Sequence, residues 1–268
     1  MIYISDRGNN EIRMLSPVLA PPAIDHAQSV SACGAFPAAA APGAWIEIYG
    51  SNLAVDARPW AATDFSGTSA PTSLDGTIVT IGGQNAVLSY INPGQVNAQV
   101  PPGMASGSQA LAVRTTAGTT ATYSMTINAT EPGLCQGLAV NGKSYLVAVV
   151  NNTLTYILPS STNASGIAFR PARPGEVISF FGNGFGSVTP SAVPDQLVNQ
   201  MNMLSNSFQV QIGGATAAVD YAGLALQAIG LYQFNVVVPN IPDGDAVPVT
   251  FSLGGAAGTQ TLYTAVHQ

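Results

Sequence analysis

The sequence is poor in charged residues, which make up only 7% of its 268 positions. An average soluble domain carries roughly 25%. Lysine and arginine together number seven, Lys143 is the only lysine, and the formal net charge is −6. Binding to nucleic acid or to an anionic membrane surface depends on clustered lysine and arginine. The composition therefore argues against both kinds of partner.

Long hydrophobic runs are also missing, although 47% of the residues are hydrophobic. No run approaches the ~18 apolar residues that cross a bilayer, and we predict no transmembrane segment. The apolar residues are dispersed among Ser, Thr, Asn, 28 glycines and 19 prolines. This mixture is typical of short strands joined by tight turns, and it lacks the charged faces of amphipathic helices. The composition predicts an all-β fold.

Known catalytic and metal-binding motifs are absent as well. The two histidines are His26, in a Pro/Ala-rich stretch, and His267, next to the C-terminus. No Gly-x-Ser-x-Gly elbow, His-Glu-x-x-His segment, Cys-x-x-Cys pair or spaced-aspartate calcium loop occurs. Nucleophilic catalysis needs a nucleophile, a base and an orienting group. Since no pattern supplies all three, we predict no catalytic residue.

An internal repeat organises the chain. Each copy contains β-rich runs and a Gly-Gly pair, which is typical of a two-residue hairpin turn because glycine takes a positive φ without steric cost. About seven short strands separated by turns are the signature of an immunoglobulin-like sandwich. We therefore predict two tandem immunoglobulin-like β-sandwich modules, at residues 35–130 and 168–268. Three segments recur in the same order: 42–53 and 174–185, 79–83 and 210–214, and 95–101 and 233–239.

The stretch between the modules, residues 131–167, is predicted to be a connecting hairpin and not a flexible linker. Its two β-rich runs, 145–150 and 154–158, flank Asn151-Asn152 as the strands of a hairpin would. A structured connection predicts that the modules are fixed relative to each other.

Cysteine occurs only twice, as Cys33 and Cys135. A disulfide between them would join the two ends of the first module and would suit an oxidising compartment. The alternative is a pair of buried free thiols, because spacing alone does not establish the Cα distance that a disulfide needs.

The repeated residues resemble the uncharacterised C-terminal domain family of Solibacter-type acidobacterial proteins. The resemblance covers the chain from residue 35 to its end and implies an immunoglobulin-like fold at the end of a larger protein. It also implies an extracellular or cell-envelope location, and it brings no activity and no catalytic residues. The segments that carry it are Ala41-Pro42-Gly43 and residues 79–83, 93–101, 171–175 and 230–236.

A second, shorter resemblance concerns residues 2–13, IYISDRGNNEIR. They are similar to one NHL-type β-propeller repeat, although Glu11 stands where a basic residue is common. One repeat cannot make a propeller, because a blade needs neighbours to bury its faces. We interpret residues 1–34 as the remnant of a lost propeller followed by a Pro/Ala-rich linker. The start also lacks a secretory signal, and we expect the chain to be part of a longer secreted protein.

The best candidate for a metal site is the loop that contains Asp243 and Asp245. Two carboxylates in a turn rich in carbonyl groups are ligands that suit Ca²⁺. The alternative is a solvated turn, since Asp-Gly is also a common hairpin signal. The first copy has Pro102-Gly103 in this place, so the carboxylates are not part of the shared scaffold.

The best candidate for ligand binding is Trp60, in an irregular segment near Asp56 and Asp64. An exposed tryptophan ring can stack on a sugar, and the alternative is a tryptophan that is simply buried. The repeated Gln-x-Asn pairs, Gln95 with Asn97 and Gln233 with Asn235, we interpret as scaffold amides that bond the backbone of a neighbouring loop.

These observations favour a non-catalytic extracellular tandem that serves adhesion, glycan contact or spacing, with a glycan or cell-surface component as its partner. The alternative is a calcium-dependent hydrolase of small esters or lactones, since some propellers related to NHL domains have that activity. Its site would lie in a loop or in the cleft between the modules, with Asp195, Asp220, Asp243 or Asp245 holding Ca²⁺. A third interpretation is a truncated reading frame without independent function.

Overall fold

The computed structural model of the protein describes residues 2–6, 8–9, 11–15 and 20–268. Strands dominate this part of the chain, and its only helices are two short 3-10 helices, Ser31–Cys33 and Ala62–Asp64. The predicted all-β sandwich fold is confirmed. No helix within the described ranges is long and apolar enough to cross a membrane.

The chain begins with a hairpin of two antiparallel strands, β1 (Ile2–Asp6) and β2 (Glu11–Leu15), which form a sheet of their own. Residues 1, 7, 10 and 16–19 lie outside the described residues, as do the side chains of β1 and β2. The resemblance to a propeller repeat falls largely on these positions and stays a prediction.

The first module consists of two sheets with a shared aliphatic core. One sheet has the strand order β3-β5-β10-β9-β6 and the other β4-β13-β11-β7-β8, with β12 beside β11. Ile46 and Ile48 of the first sheet and Leu111 and Val113 of the second are fully buried in one cluster. The strands are β3 (Ala23–Ser29), β4 (Ala39–Ala40), β5 (Trp45–Ser51), β6 (Arg58–Pro59), β7 (Ile78–Ile81), β8 (Gln84–Asn85), β9 (Val87–Asn92), β10 (Gln95–Gln99), β11 (Gly107–Thr115), β12 (Gly118–Thr119) and β13 (Tyr123–Ile127).

The second module has an aromatic core, in which the rings of Phe180 and Phe234 stack 5.3 Å apart and Phe185 packs 4.7 Å from Phe234. Its strands are β14 (Gly133–Leu134), β15 (Gln136–Val140), β16 (Lys143–Leu146), β17 (Ala148–Val150), β18 (Tyr156–Ile157), β19 (Phe169–Arg170), β20 (Val177–Asn183), β21 (Val188–Thr189), β22 (Met203–Leu204), β23 (Phe208–Ile212), β24 (Ala215–Leu224), β25 (Tyr232–Val237), β26 (Gly244–Leu253), β27 (Ala256–Ala257) and β28 (Leu262–Val266).

One long strand connects the two layers of the second module. The beginning of β24 pairs with β23 and its remainder pairs with β25, with a shift of register between Val219 and Tyr221. A bulge of this kind bends a strand and increases its twist. Because β24 takes part in both layers, the hydrogen-bonded path through the module is continuous.

The repeated segments occupy equivalent strands. In the first module β5 pairs with β10, and in the second β20 pairs with β25 in the same antiparallel way. Gly82-Gly83 forms the hairpin turn after β7, and Gly213-Gly214 forms the hairpin turn after β23. All four φ angles are positive, from 56° to 79°. Glycine takes a positive φ without steric cost, so a Gly-Gly pair fits such a turn.

The Gln-x-Asn pairs bond within their own strands and not to a loop as expected. Gln95 Nε2 donates to Asn97 Oδ1 at 2.8 Å, and Gln233 Nε2 donates to Asn235 Oδ1 at 2.9 Å. Side chains two residues apart on a strand point to the same face, so the glutamine of each pair can donate to the asparagine of its own strand. Asn235 Oδ1 also accepts a hydrogen bond from Ser179 of the adjacent β20.

The structure differs from the sequence-based boundaries at both module starts. The predicted linker within residues 1–34 contains β3, which pairs with β5 in the first sandwich. The predicted connecting segment 131–167 supplies β14 and β17, which both pair with β20 in the second. Across the turn at Asn151-Asn152, β17 also pairs with β18. Each sandwich therefore begins earlier in the chain than its repeated segments indicate.

Candidate functional site

The modules meet at a hydrogen-bonded contact between Trp45, which begins β5, and Asn183, which ends β20. The Asn183 amide accepts a hydrogen bond from the Trp45 backbone N–H at 2.8 Å and donates to the Trp45 carbonyl at 3.0 Å. Asn183 is only 2% exposed. Its side chain offers one donor and one acceptor to the same residue, as a neighbouring strand would.

An apolar cluster surrounds this contact. Trp60 packs edge-on against Trp45, with ring centres 5.6 Å apart, and lies 5.1 Å from the ring of Phe65. These rings of the first module pack with Leu197 and Ile229 of the second. The Trp45 indole N–H donates to the Ile229 carbonyl at 2.7 Å. Apolar burial and hydrogen bonds therefore stabilise the same interface.

Backbone pairing adds a second contact between the modules. The Ala70 N–H donates to the Asp195 carbonyl at 2.8 Å, and the Leu197 N–H donates to the Thr68 carbonyl at 3.0 Å. Asp195 adopts a positive φ of 59° in this segment. The two exchanged bonds resemble one step of an antiparallel ladder.

A disulfide between Cys33 and Cys135 makes the third connection. The Cys135 N–H donates to the carbonyl of Phe181, which lies in β20. Cys135 is therefore built into the second module, and the bond joins the two modules. Two sandwiches held by a disulfide, a ladder step and an apolar cluster are fixed relative to each other.

The first cavity at this junction has a volume of about 460 Å³ and is called the Trp60 cavity here. Trp60 and Trp45 form its aromatic wall, and Ser89, Asn97 and Gln227 contribute polar side chains. Trp60 is half-buried, so the ring that the sequence singled out is both a packing residue and part of a cavity wall. None of the described residues that line this cavity is charged.

The loop that carries Trp60 is held by Arg58, which the sequence did not single out. The guanidinium binds Asp75 at 2.6 and 2.9 Å and Asp64 at 2.7 and 3.1 Å. Asp64 also accepts a hydrogen bond from the Ala61 N–H at 2.6 Å. Hydrogen bonds from Arg58 lower the pKa of both carboxyl groups below their ordinary value. Arg58 and Asp64, which lie on either side of Trp60 in the sequence, are therefore joined directly.

The second cavity, also about 460 Å³, is called the Asp195 cavity. It shares Ile229 and Gly230 with the Trp60 cavity, and the rest of its wall is different. Gln99 and Asp195 are among its polar residues. Gln99 Nε2 donates to the Gly43 carbonyl at 2.8 Å, whereas its Oε1 is buried without a hydrogen-bond partner. Burial raises the pKa of the Asp195 carboxyl.

Gly230 lines both cavities, where the two modules approach each other closely. Its φ is +65°, and a Cβ atom there would lie 2.4 Å from Gln99 Nε2 and 2.6 Å from the Gly43 carbonyl oxygen. Both distances are shorter than van der Waals contact, so a larger residue would force the modules apart. The absence of a side chain at this position permits the interface.

The loop predicted to bind calcium contacts the C-terminal end of the chain. Asp245 Oδ1 is 2.9 Å from His267 Nε2, and Asp243 Oδ1 accepts a hydrogen bond from the Gln268 N–H at 3.0 Å. Within the described ranges, no three His, Cys, Asp or Glu side chains are grouped as a metal site requires. The calcium hypothesis for Asp243 and Asp245 stays a prediction.

The remaining carboxylates of that hypothesis, Asp195 and Asp220, lie apart from this loop. Asp195 is half-buried at the junction of the modules, and Asp220 is exposed on β24. The structure therefore brings Trp60 into the cleft between the modules together with Asp195, but each lines a different cavity.

Comparison with known proteins gives distant structural similarities. The chain is similar to the extracellular region of plexin A4 (TM-score 0.31, 10% identity), over 97% of this chain and 19% of that one. It is similar to SGBP-B of a Bacteroides ovatus mixed-linkage glucan utilization locus (TM-score 0.33, 13% identity), over 89% of this chain and 46% of that one. The chain thus spans less than half of either protein.

A third similar structure is that of domains 5–6 of the S-layer protein SbsC (TM-score 0.29, 11% identity), over 92% of this chain and 98% of that one. No curated protein matches the chain. Residues 34–130, which form the first module without its first strand, match the IPT/TIG domain family. This match agrees with the immunoglobulin-like sandwich of the first module, and the predicted fold class is confirmed.

Proposed function

We propose that this chain is a non-catalytic extracellular tandem that binds a neutral glycan in the Trp60 cavity. The observation that carries the proposal is the lining of that cavity, in which tryptophan rings and amide side chains from both modules face one space of about 460 Å³. Small-molecule sites commonly have volumes of roughly 300–1,000 Å³.

The side chains suit sugar chemistry. Aromatic rings provide an apolar face for the C–H surface of a sugar, while amides and hydroxyls exchange hydrogen bonds with its hydroxyl groups. Asn97, Ser89 and Gln227 are such groups. Charged sugars would find no counter-charge among the described lining residues, which favours a neutral glycan.

The proposed location rests on the disulfide. Bonds such as Cys33–Cys135 form and persist mainly in oxidising compartments. We propose an extracellular or cell-envelope location, at the C-terminal part of a larger secreted protein of the Solibacter type. In that setting the fixed pair of modules also acts as a spacer, because its two halves cannot swing apart freely.

Binding to neutral oligosaccharides, measured by isothermal titration calorimetry with cello-, xylo-, malto- and laminari-oligosaccharides, tests this proposal. Trp60→Ala removes the stacking surface and is expected to weaken binding at least tenfold, equivalent to about 1.4 kcal/mol. Trp60→Phe keeps part of the apolar surface and is expected to bind with intermediate affinity.

Gln227→Gly is a second variant that does not touch the aromatic cluster. Gln227 is exposed with a φ of 58°, so glycine fits its backbone without strain. We expect severalfold weaker binding from loss of the amide. Asn152→Gly, at a φ of 59° in a distant turn, is the matched control and should bind as the wild type does. Absence of binding to every oligosaccharide, or equal binding by Trp60→Ala, contradicts the proposal.

The alternative of a calcium-dependent ester or lactone hydrolase stays a prediction. No contact among the described residues favours it over glycan binding.

A further inference from the structure

The Asp195 cavity has a chemistry that glycan binding in the Trp60 cavity does not use. Most of its lining is apolar, including Val198, Leu224 and the ring of Tyr232. Asp195 is the only charged residue among the described residues that line it. A cavity of about 460 Å³ with apolar walls and a few polar groups is typical of a small-molecule site.

Two residues that line this cavity have hydrogen-bond acceptors without a partner. Gln99 is 3% exposed, and its Oε1 is one of only three buried side-chain polar atoms without a partner in the described part of the chain. A buried acceptor without a partner is unfavourable, because it has lost its hydrogen bonds to water. A ligand that donates a hydrogen bond to it removes this cost.

The second unused acceptor is the Asp195 carboxylate. The backbone of Asp195 is occupied by the pairing with Ala70, but no described residue donates a hydrogen bond or a positive charge to its side chain. Partial burial of a carboxylate without a partner disfavours the charged form, and this burial raises the pKa of Asp195. A positive charge beside it would reverse that penalty.

The two acceptors come from different modules, since Gln99 ends β10 and Asp195 lies between β21 and β22. We propose that the Asp195 cavity binds a small organic cation, an ammonium group on an apolar body. The ammonium group donates hydrogen bonds to the Asp195 carboxylate and to the buried side-chain oxygen Oε1 of Gln99. The apolar part of the ligand lies against Val198, Leu224 and Tyr232.

Other ligand classes fit less well. An anion would meet the negative charge of Asp195 and no cation in the described lining. A hard metal ion such as Ca²⁺ takes six to eight oxygen ligands, and mostly apolar walls do not provide them. A neutral apolar molecule would bury Asp195 further without supplying a partner. An ammonium group on an apolar body satisfies all these constraints.

NMR titration of the ¹⁵N-labelled full chain with three probes of similar size tests the proposal. Benzylamine carries the ammonium group, benzyl alcohol is neutral and benzoate is negative. We expect millimolar binding of benzylamine with shifts at Val198 and Leu224, about tenfold weaker binding of benzyl alcohol, and none of benzoate.

Asp195→Asn removes the charge and keeps a residue that tolerates the positive φ of 59°. It is expected to weaken benzylamine binding about tenfold and to leave benzyl alcohol binding unchanged. Asp220→Asn, an exposed carboxylate on β24 outside the cavity, is the matched control.

Lowering the pH through the Asp195 pKa should also weaken benzylamine binding. Tyr232, the other titratable lining residue, has its pKa raised by burial and stays neutral.

The proposal is overturned if all three probes bind equally, if benzylamine produces no shifts in the cavity at millimolar concentration, or if both aspartate variants bind alike. It does not depend on glycan binding. Trp60→Ala should leave the preference for benzylamine intact, and a failure of the glycan proposal would leave this one standing.

Discussion

Arg58 shows how one side chain can hold a segment that lines a cavity without lining the cavity itself. It bridges Asp64 and Asp75, two carboxylates that both follow Trp60 in the sequence. The guanidinium is planar and has several N–H donors, so it can bind both carboxylates at once. Trp60 lies between Arg58 and Asp64 in the sequence. The ion pair between these two residues therefore holds both ends of the segment that contains Trp60.

At the scale of single residues, the stability that the Arg58 bridge contributes should depend on pH. Arg58 lowers the pKa of Asp64 and Asp75, so the bridge contributes stability above the pKa of the unfolded chain. This contribution is lost as the pH falls through the folded-state pKa. Arg58→Ala should raise both titration midpoints towards the ordinary aspartate value of 3.8, as measured by carboxyl ¹³C NMR.

The matched control for this variant is Arg114→Ala, an exposed arginine on β11, which should leave both midpoints unchanged. The effect on overall stability should be small, because the bridge is accessible to solvent. Unaltered midpoints in Arg58→Ala would show that the bridge does not form in solution.

At the scale of elements, β3 is the strand that sequence reasoning missed. It consists of AIDHAQS, and only Ala27 and Ser29 are buried, because β3 lies at the edge of its sheet. An edge strand that buries few apolar side chains gives no clear alternating pattern. In contrast, β5 and β20 contain fully buried isoleucine and phenylalanine and lie in the repeat, so their pattern identified them.

Close approach of β3 to β5 requires glycine at position 50. A Cβ atom on Gly50 would lie 2.0 Å from the Ala23 carbonyl oxygen. We expect Gly50→Ala to destabilise the protein by about 1–3 kcal/mol and to increase amide hydrogen exchange in β3, measured by urea unfolding and mass spectrometry.

Gly94→Ala is the control for this variant. Its nearest neighbour would be 3.4 Å away, and its φ is not positive, so the change should stay within about 0.5 kcal/mol of the wild type. Equal stability of the two variants would place β3 elsewhere than beside β5.

At the scale of the whole molecule, the two cavities result from contacts that no local pattern records. Trp45 and Asn183 are separated by 138 positions, and Trp45 and Ile229 by 184. Trp60 could be singled out because a tryptophan in an irregular segment is unusual. Gln99, Asn183 and Gly230 could not, since their importance depends on how one module docks on the other.

The pair of modules, and not either module alone, is therefore the unit that forms the cavities. Each cavity has walls from both sandwiches, and neither would exist in an isolated module. Gly230 and Asn183 contribute to the interface from the second module, whereas Trp45 and Trp60 contribute from the first.

The proposed neutral glycan binds between the modules, against the two tryptophans. The chain has only Trp45 and Trp60, and both line the same cavity, so the indole N–H signals report on that site alone. In a ¹⁵N NMR titration with the tightest-binding oligosaccharide, we expect saturable shifts of both indole signals, larger for Trp60. Binding that leaves both indole signals unmoved would contradict this proposal.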